Sequence, residues 1–250
     1  MGEFRRRIII ESRVAGARGE ARAVLEDDFH HFRVALQHQD GRIARVDGGA
    51  PRHPYSACPA AIGELPLLVG TRLDAVASAV TRATDATGQC THLLDLAGLA
   101  MAAALRSPGR RQYDIDVPDR VDGRTRASLM RDGQPALWWD VEQDMIVGPD
   151  DWAGVSLREG FARRALASGS TDDSEAAIVL RRGAAISIGR RVNLDLQVHA
   201  RETGLCFAQQ PARATQALRM VGSTQDFSAR ETALCASDAE WLAFDAPSST

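Results

Sequence analysis

Alternating apolar and polar residues predict two groups of short strands along this chain. The first group covers residues 5–47, with strands over 7–14, 20–26, 32–37 and 42–46. The second group has strands over 113–117, 125–130 and 135–141, with a further stretch at 145–147. Asp-Gly pairs at 40–41, 122–123 and 132–133 are typical of tight turns in antiparallel hairpins. We therefore predict one antiparallel meander in each half of the chain.

Apolar residues spaced three and four apart predict helices after each meander. The clearest helix covers 91–105, where leucines and a methionine form a broad apolar face and Thr91 is suited to cap the start. Pro59 is favourable as the first residue of another helix. The helix that begins at Pro59 covers 59–68, and the remaining predicted helices cover 73–84, 157–167, 172–191 and 231–244. Residues 245–250 are predicted to form a frayed tail.

This order of elements predicts an α+β fold with two small antiparallel β-meanders, each followed by helices and packed together. The first unit covers residues 1–109 and the second covers residues 110–250. The length of the chain is compatible with a single domain, so we expect the two units to form one compact body.

Composition narrows the classes of function. The chain has 250 residues, 44% of them hydrophobic, and a net charge of −3, which argues against a nucleic-acid partner. No apolar run approaches the roughly 20 residues that span a membrane. The basic start carries too short an apolar stretch for a signal peptide. We therefore expect a cytoplasmic protein with reduced cysteines and no membrane partner.

All 30 basic residues are arginine. Without lysine, the chain cannot form a Schiff base, anchor pyridoxal phosphate or build a phosphate-binding loop of the usual kind. It also lacks the Gly-x-Gly-x-x-Gly sequence of dinucleotide sites. We expect chemistry without a cofactor, carried by the chain's own His, Cys, Tyr, Asp and Arg side chains, and a bound metal stays an alternative.

Three short segments hold most of the side chains that could do chemistry. The first, 27–33, reads Asp-Asp-Phe-His-His-Phe-Arg. On a strand, His31 and Arg33 share one face while His30 and Phe32 share the other. The functional interpretation is a histidine base beside an arginine that binds a phenolate or carboxylate. The alternative is a turn histidine on a solvated strand.

The second and third segments each bring a cysteine to the start of a predicted helix. Tyr55 precedes Cys58 in the sequence Pro-Tyr-Ser-Ala-Cys-Pro, and Cys90 precedes His92 in Gly-Gln-Cys-Thr-His-Leu. A thiol at a helix N-terminus is expected to have a lowered pKa. Tyr55 is a candidate acid and His92 a candidate base, with Asp95 one turn further on to orient it. The alternative is that these are buried structural residues.

The same residues also suggest a metal site. Cys58, Cys90, His92 and either His30 or His31 would make a tetrahedral zinc set. Against this, the two cysteines are far apart in sequence and neither belongs to a Cys-x-x-Cys pair.

Taken together, the three segments resemble a bacterial family known as domain of unknown function 2889. The family pattern has Asp-x-Phe-His, then Pro-Tyr-x-x-Cys-Pro, then Leu-x-Gly, then Gly-x-Cys-Thr-His-Leu. This chain supplies these at 27–30, 54–59, 68–70 and 88–93. The first half is also similar to iron–sulfur scaffold proteins of the IscU and SufU type, although it lacks their further cysteine.

The resemblance implies a function in aromatic or lipid catabolism. Arginine-only members are similar to lyases that release formaldehyde from lignin-derived aromatic dimers, without a cofactor. This implies a small aromatic substrate and a catalytic set of His30, His31, Arg33, Tyr55, Cys58, Cys90 and His92. The alternatives are a zinc or iron–sulfur scaffold and a non-catalytic module that binds aromatic ligands, and the chain is compatible with a homo-oligomer. Each catalytic interpretation requires the three segments to meet at one cavity.

Overall fold

The computed structural model describes residues 2–106, 108–167 and 169–244. Eight antiparallel strands form one sheet in the order β4-β3-β2-β1-β5-β6-β7-β8. The strands are β1 (Glu3–Ala15), β2 (Arg18–Asp27), β3 (His31–Gln39), β4 (Arg42–Arg52), β5 (Gly109–Pro118), β6 (Arg124–Arg131), β7 (Gln134–Glu142) and β8 (Met145–Gly148). All of the predicted strands are present, and the α+β class with two antiparallel meanders is confirmed.

The two meanders join edge to edge. The N-terminal strand β1 pairs with β2 on one side and with β5 on the other, with Arg6 opposite Asp27 in the first pair and opposite Ile115 in the second. The sheet is therefore continuous from β4 to β8. The proposed unit boundary between residues 109 and 110 stays a prediction, and it falls at the start of β5.

Helices α1 (Thr91–Ala103) and α3 (Thr171–Ile186) cover one face of the sheet. The other α-helices are α2 (Phe161–Leu166), α4 (Pro211–Ala214) and α5 (Ala239–Leu242). Shorter 3₁₀ segments cover Cys58–Leu68, Ala77–Arg82, Ala86–Gly88, Asp150–Trp152, Ser187–Arg191, Leu194–Leu196, Phe207–Gln209, Glu231–Ala233 and Ala236–Asp238. Helix α1 packs on β1, β2 and β3, and α3 packs on β5, β6 and β7.

Several predicted α-helices were wrong in type or extent. The stretch 59–68 is a 3₁₀ helix, and in an α-helix the ring of Pro66 would clash with the carbonyl four residues earlier. The helix predicted over 157–167 begins only at Phe161, after Gly160 in the left-handed conformation. The helix predicted over 231–244 is interrupted at Cys235, whose φ is +59°. At α1, Cys90 holds the capping position that we assigned to Thr91 and makes no side-chain cap. The predicted tail, 245–250, lies outside the described residues.

The segment 77–82 can pack closely on α1 because Gly98 faces it. A Cβ at Gly98 would lie 2.2 Å from the carbonyl oxygen of Ala77. This close approach brings Val80 against the helix, where it forms part of the main apolar core.

The C-terminal residues 231–244 cover the opposite face of the sheet. There Ile9 and Val24 form a small apolar cluster with Cys235 and Leu242. Among the described residues, no helix is both long enough and apolar enough to span a membrane.

Candidate functional site

The turn between β2 and β3 is built around the side chain of Asp27, which is fully buried. Its Oδ1 accepts hydrogen bonds from the backbone N–H groups of Phe29 and His30, each at 2.8 Å. A carboxylate that bonds the backbone two and three residues ahead stabilises a tight turn. His30 Nδ1 lies 3.0 Å from the same oxygen. The Asp-x-Phe-His sequence therefore fixes the orientation of the His30 ring.

His92, at the start of α1, stacks on His30. The two ring centroids are 3.9 Å apart, and Phe32 flanks both rings at 5.8 Å. Arg6, from β1, completes the group: its Nη2 contacts Asp27 Oδ2 and lies 3.3 Å from His92 Nε2. Arg6, Asp27, His30 and His92 form what we call the histidine cluster. Because the guanidinium can only donate, the Nε2 of His92 accepts, and its proton is assigned to Nδ1.

Burial and charge set the ionisation of the histidine cluster. Burial would raise the pKa of Asp27, but Arg6, His30 and His92 together hold that pKa well below its usual range. Burial, reinforced by His30 and Arg6, lowers the pKa of His92 well below its ordinary value. At neutral pH the cluster thus contains a carboxylate, a guanidinium and a neutral His92.

The lowered pKa of His92 predicts a stability that depends on pH. The unfolded chain takes up a proton at His92 near pH 6.5, which the folded protein does not, so the free energy of unfolding falls by up to about 1.4 kcal/mol per pH unit as pH decreases through that region. Urea unfolding of the wild type and of His92→Gln at about pH 7.5 and about pH 6 measures this, and the variant should show the smaller difference.

Asp28 has the opposite effect on the pH dependence of stability, and it acts at lower pH. Burial raises its pKa to about 6, although Arg190 pairs with it at 2.5 Å. The folded protein therefore binds a proton more readily than the unfolded chain between about pH 4 and pH 6, which offsets part of the loss in that range. Equal pH dependence in the wild type and His92→Gln above about pH 6 would contradict the assignment of the slope to His92.

Two groups of side chains have metal-ligand spacing: Asp27 with His30 and His92, and Glu26 with His31 and Asp238. In the first group, the Arg6 guanidinium already contacts both Asp27 and His92. A divalent ion there would lie beside a buried cation, and the repulsion would be strong in a site of low polarity. We therefore interpret the first group as an ion and hydrogen-bond network.

A cavity of about 450 Å³ lies beside the histidine cluster, between the sheet and the helices. Its floor is formed by Arg6, Ile8 and Leu25. Its walls are mainly apolar and come from α1, from segment 77–82, and from α2 and α3. The volume lies in the range of small-molecule sites. His30 and His92 are not part of the lining, whereas Arg6, which lies 3.3 Å from His92 Nε2, is.

Arg6 is 1% exposed, and its Nη1 has no hydrogen-bond partner among the described residues. A buried guanidinium nitrogen without a partner is costly, which makes it a marker of a missing acceptor. Since Arg6 forms part of the cavity floor, an acceptor on a bound molecule would satisfy it. The arrangement suits an apolar molecule with an anionic or phenolic oxygen at its buried end.

Sequence reasoning missed Arg6, although a signal was available. Phe4, Arg6, Ile8 and Ile10 alternate along β1, and all four are buried on the helix-covered face. An arginine in phase with three apolar residues on a strand indicates a buried charge, and a buried charge needs a partner. Glu175 and Tyr113, which are buried and joined at 2.5 Å at another side of the cavity, were missed too.

His31 and Arg33 lie on the opposite face of the sheet from His92. The carboxylate of Asp238 accepts a hydrogen bond from Arg33 Nε at 2.6 Å and lies 2.9 Å from His31 Nε2. Glu26 accepts the backbone N–H of Cys235 at 2.7 Å. The prediction that His31 and Arg33 lie on one face of the strand and His30 on the other is confirmed. His31 and Arg33 bind Asp238 of the C-terminal segment, whereas His30 belongs to the histidine cluster. The two faces are not brought together.

The second and third segments meet at their cysteines. Cys58 and Cys90 are buried near each other and near Cys206. The prediction of lowered thiol pKa values was wrong: burial raises the pKa of Cys90 to about 12 and that of Cys58 above its ordinary range. Both cysteines are buried away from water, which disfavours the charged thiolate, so they are packing residues at neutral pH.

Tyr55 and Asp95 also have partners other than those predicted. The Tyr55 hydroxyl donates to Gln197 Oε1 at 3.1 Å, and burial raises its pKa. Asp95 binds Arg182 at 2.6 Å, whereas the carboxylate of the histidine cluster is Asp27. The predicted zinc set does not form, because no three of its ligand atoms come within 4.8 Å of one another.

Two comparisons with known proteins bear on this arrangement. No curated protein matches the chain. Residues 11–106 match a family model described as "Protein of unknown function (DUF2889)". The matched stretch contains all seven predicted site residues and ends before β5; Arg6 precedes it. The match supports the resemblance of this part of the chain to the DUF2889 family.

Proposed function

We propose that this protein is a cofactor-independent carbon–carbon lyase that releases formaldehyde from a lignin-derived aromatic dimer of the phenylcoumaran type. The observation that carries the proposal is the pairing of an apolar cavity with a buried acid–base group. Arg6 touches both: its Nη2 contacts Asp27 and His92, and its Nη1, at the cavity floor, has no partner in the described part of the chain.

The reaction needs only proton movement. A base takes the proton of the primary alcohol on the side chain, and the O–H electrons form the carbonyl of formaldehyde as the carbon–carbon bond breaks. The electrons of that bond form the stilbene double bond. The ether bond of the coumaran ring breaks, and its electrons remain on the oxygen as a phenolate. No electron leaves the molecule, so no redox partner is required.

We assign the base to His92 and the anion partner to Arg6. Burial lowers the pKa of His92, so Nε2 carries no proton at neutral pH and is able to receive one as the alcohol reacts. The same low pKa means that His92 passes this proton on and does not retain it. Arg6 supplies a fixed positive charge where the phenolate develops, in a site from which water is largely excluded. The protonated His92 then returns its proton to the phenolate, which closes the proton balance. The assignment requires the alcohol to pass the guanidinium and reach His92 Nε2.

The test is incubation of the purified protein with a panel of lignin-derived dimers. Formaldehyde and stilbene absorbance are followed together. The expected result is that both appear in equal amounts from a phenylcoumaran with a free hydroxymethyl group, and that neither appears from its methyl ether. Absence of both products from every dimer in the panel would remove the proposal.

A non-catalytic module that binds aromatic ligands is the second candidate. It is favoured by one observation, that His30 and His92 do not line the cavity while Arg6 does. Thermal shifts with the same dimers separate the two candidates, since a ligand that binds only the folded state raises the unfolding temperature whether or not it reacts. Stabilisation without product favours the binding module.

A further inference from the structure

The cavity carries more positive charge than its own carboxylates balance. Two acidic and five basic side chains line it. Most of these are already paired: Arg6 with Asp27, Arg158 with Asp144, Arg182 with Asp95, and Glu175 with Arg106. The two that remain are Arg163 and Arg181, neither of which has a carboxylate partner within 4.0 Å among the described residues.

Arg181 is held in place by backbone oxygens. Its Nε donates to the carbonyl of Leu157 at 2.6 Å, and its Nη2 donates to that of Arg158 at 3.4 Å. Its Nη1 has no hydrogen-bond partner in the described part of the chain. Burial lowers its pKa, a sign that its charge is costly in this position. A guanidinium fixed in this way presents its remaining N–H groups in one direction, as a binding site for an anion requires.

The two ends of the cavity are different. The floor, with Arg6, Ile8 and Leu25, is buried. The lining residues near Arg163, such as Gly160 and Ala162, are exposed, and so is Arg163 itself. The cavity therefore opens to solvent beside α2. Within the described ranges, Arg6 Nη1 at the floor has no hydrogen-bond partner, and Arg163 and Arg181, toward the mouth, have no carboxylate partner. Apolar side chains, Phe161 and Leu99 among them, line the space between.

We propose that Arg163 and Arg181 form a carboxylate subsite at the mouth of the cavity, so that the ligand is an elongated aromatic acid with its phenolic end at Arg6. This rests on the proposed function for the identity of the site, and it narrows the substrate class to aromatic dimers that carry a carboxylate remote from the reacting ring. A planar carboxylate suits arginine because it accepts two parallel hydrogen bonds from one guanidinium.

The test uses an unreactive matched pair, 4′-hydroxybiphenyl-4-carboxylate and its primary amide. Both have a phenol at one end and nearly the same shape, and they differ in charge at the other end. Titration calorimetry measures each with the wild type, Arg163→Gln, Arg181→Gln and the double variant. Arg164→Gln is the matched control, since Arg164 is on the same helix but donates to Asp151 O and lies over Trp152, outside the cavity lining.

We expect the wild type to bind the acid more tightly than the amide. Arg181→Gln should weaken binding of the acid by roughly tenfold, as for loss of a hydrogen bond to a charged group, and the double variant should remove the preference. Affinity for the amide should be the same in all variants, and Arg164→Gln should bind both ligands as the wild type does. Equal binding of acid and amide by the wild type, or a preference that survives the double variant, would overturn the subsite.

This experiment is independent of turnover. Failure to release formaldehyde would remove the lyase while leaving the binding result intact. Conversely, a lyase that treats carboxylated and uncharged dimers alike, in both binding and kcat/KM, would remove the subsite and keep the reaction.

Discussion

Replacing His92 with alanine is expected to slow formaldehyde release from a phenylcoumaran dimer by a factor of roughly 10²–10⁴, the usual contribution of a positioned general base. The physical reason is that His92 is the neutral imidazole next to the charge that would hold the phenolate, with Nε2 and Arg6 Nη2 3.3 Å apart. The loss should appear in kcat, because removal of the base affects the transition state more than binding of the dimer.

The matched control is His31→Ala. His31 is also a buried histidine from the same short segment, but it lies on the opposite face and binds Asp238. We expect His31→Ala to lower stability while leaving the rate per folded molecule within a few-fold of the wild type. Rates are compared at a temperature where circular dichroism shows both variants folded. A slow His31→Ala beside a normal His92→Ala would place the base on the other face of the sheet.

Replacing Arg6 with methionine is expected to lower the free energy of unfolding by about 3–5 kcal/mol, as for a buried ion pair that loses one partner. Methionine fills much of the same space, so the cost comes mainly from Asp27. That carboxylate is fully buried and would keep its backbone hydrogen bonds but lose its ion pair with the Arg6 guanidinium. Urea unfolding followed by fluorescence measures the change.

Two variants make this result interpretable. Arg7→Met changes the neighbouring arginine, which is half-buried on the other face and pairs with Asp114 at 2.6 Å, and it should cost at most about 1 kcal/mol. The double variant Arg6→Met, Asp27→Asn should cost less than the sum of the two single changes, because it removes both charges together. Similar losses for Arg6→Met and Arg7→Met would show that Asp27 does not depend on Arg6.

The local rules of the sequence predicted the sheet well. Strand patterning and the Asp-Gly turns located seven of the eight strands, because these signals depend on residues close together in the chain. The stretch 145–147, which the sequence left open as an extension of the third strand or a new strand, is β8. The helices were harder to predict. Pro66 and the left-handed residues Gly160 and Cys235 break or shorten segments whose apolar spacing was helical, and backbone conformation outweighs side-chain pattern at such points.

The candidate site shows the same limit at longer range. The side-chain alternation within 27–33 correctly separated His30 from His31, and the motif residues His30 and His92 do meet. Sequence could not show that Asp238, over two hundred residues away, occupies the space beside His31. Nor could it show that burial would cancel the expected acidity of the Cys90 thiol. Both depend on tertiary packing, which one sequence does not display.

Strand β1, near residue 1, holds the two meanders of the sheet together. In many proteins the opening residues can be trimmed or fused to a tag with little effect. Here that stretch is a central strand of the sheet, hydrogen-bonded to β2 on one side and to β5 on the other. A deletion through residue 10 would remove most of β1 and separate the three strands β2–β4 from the four strands β5–β8. Each piece would then have an unpaired edge, and such edges are prone to self-association. It would also remove Arg6, the guanidinium that lies at both the cavity and His92.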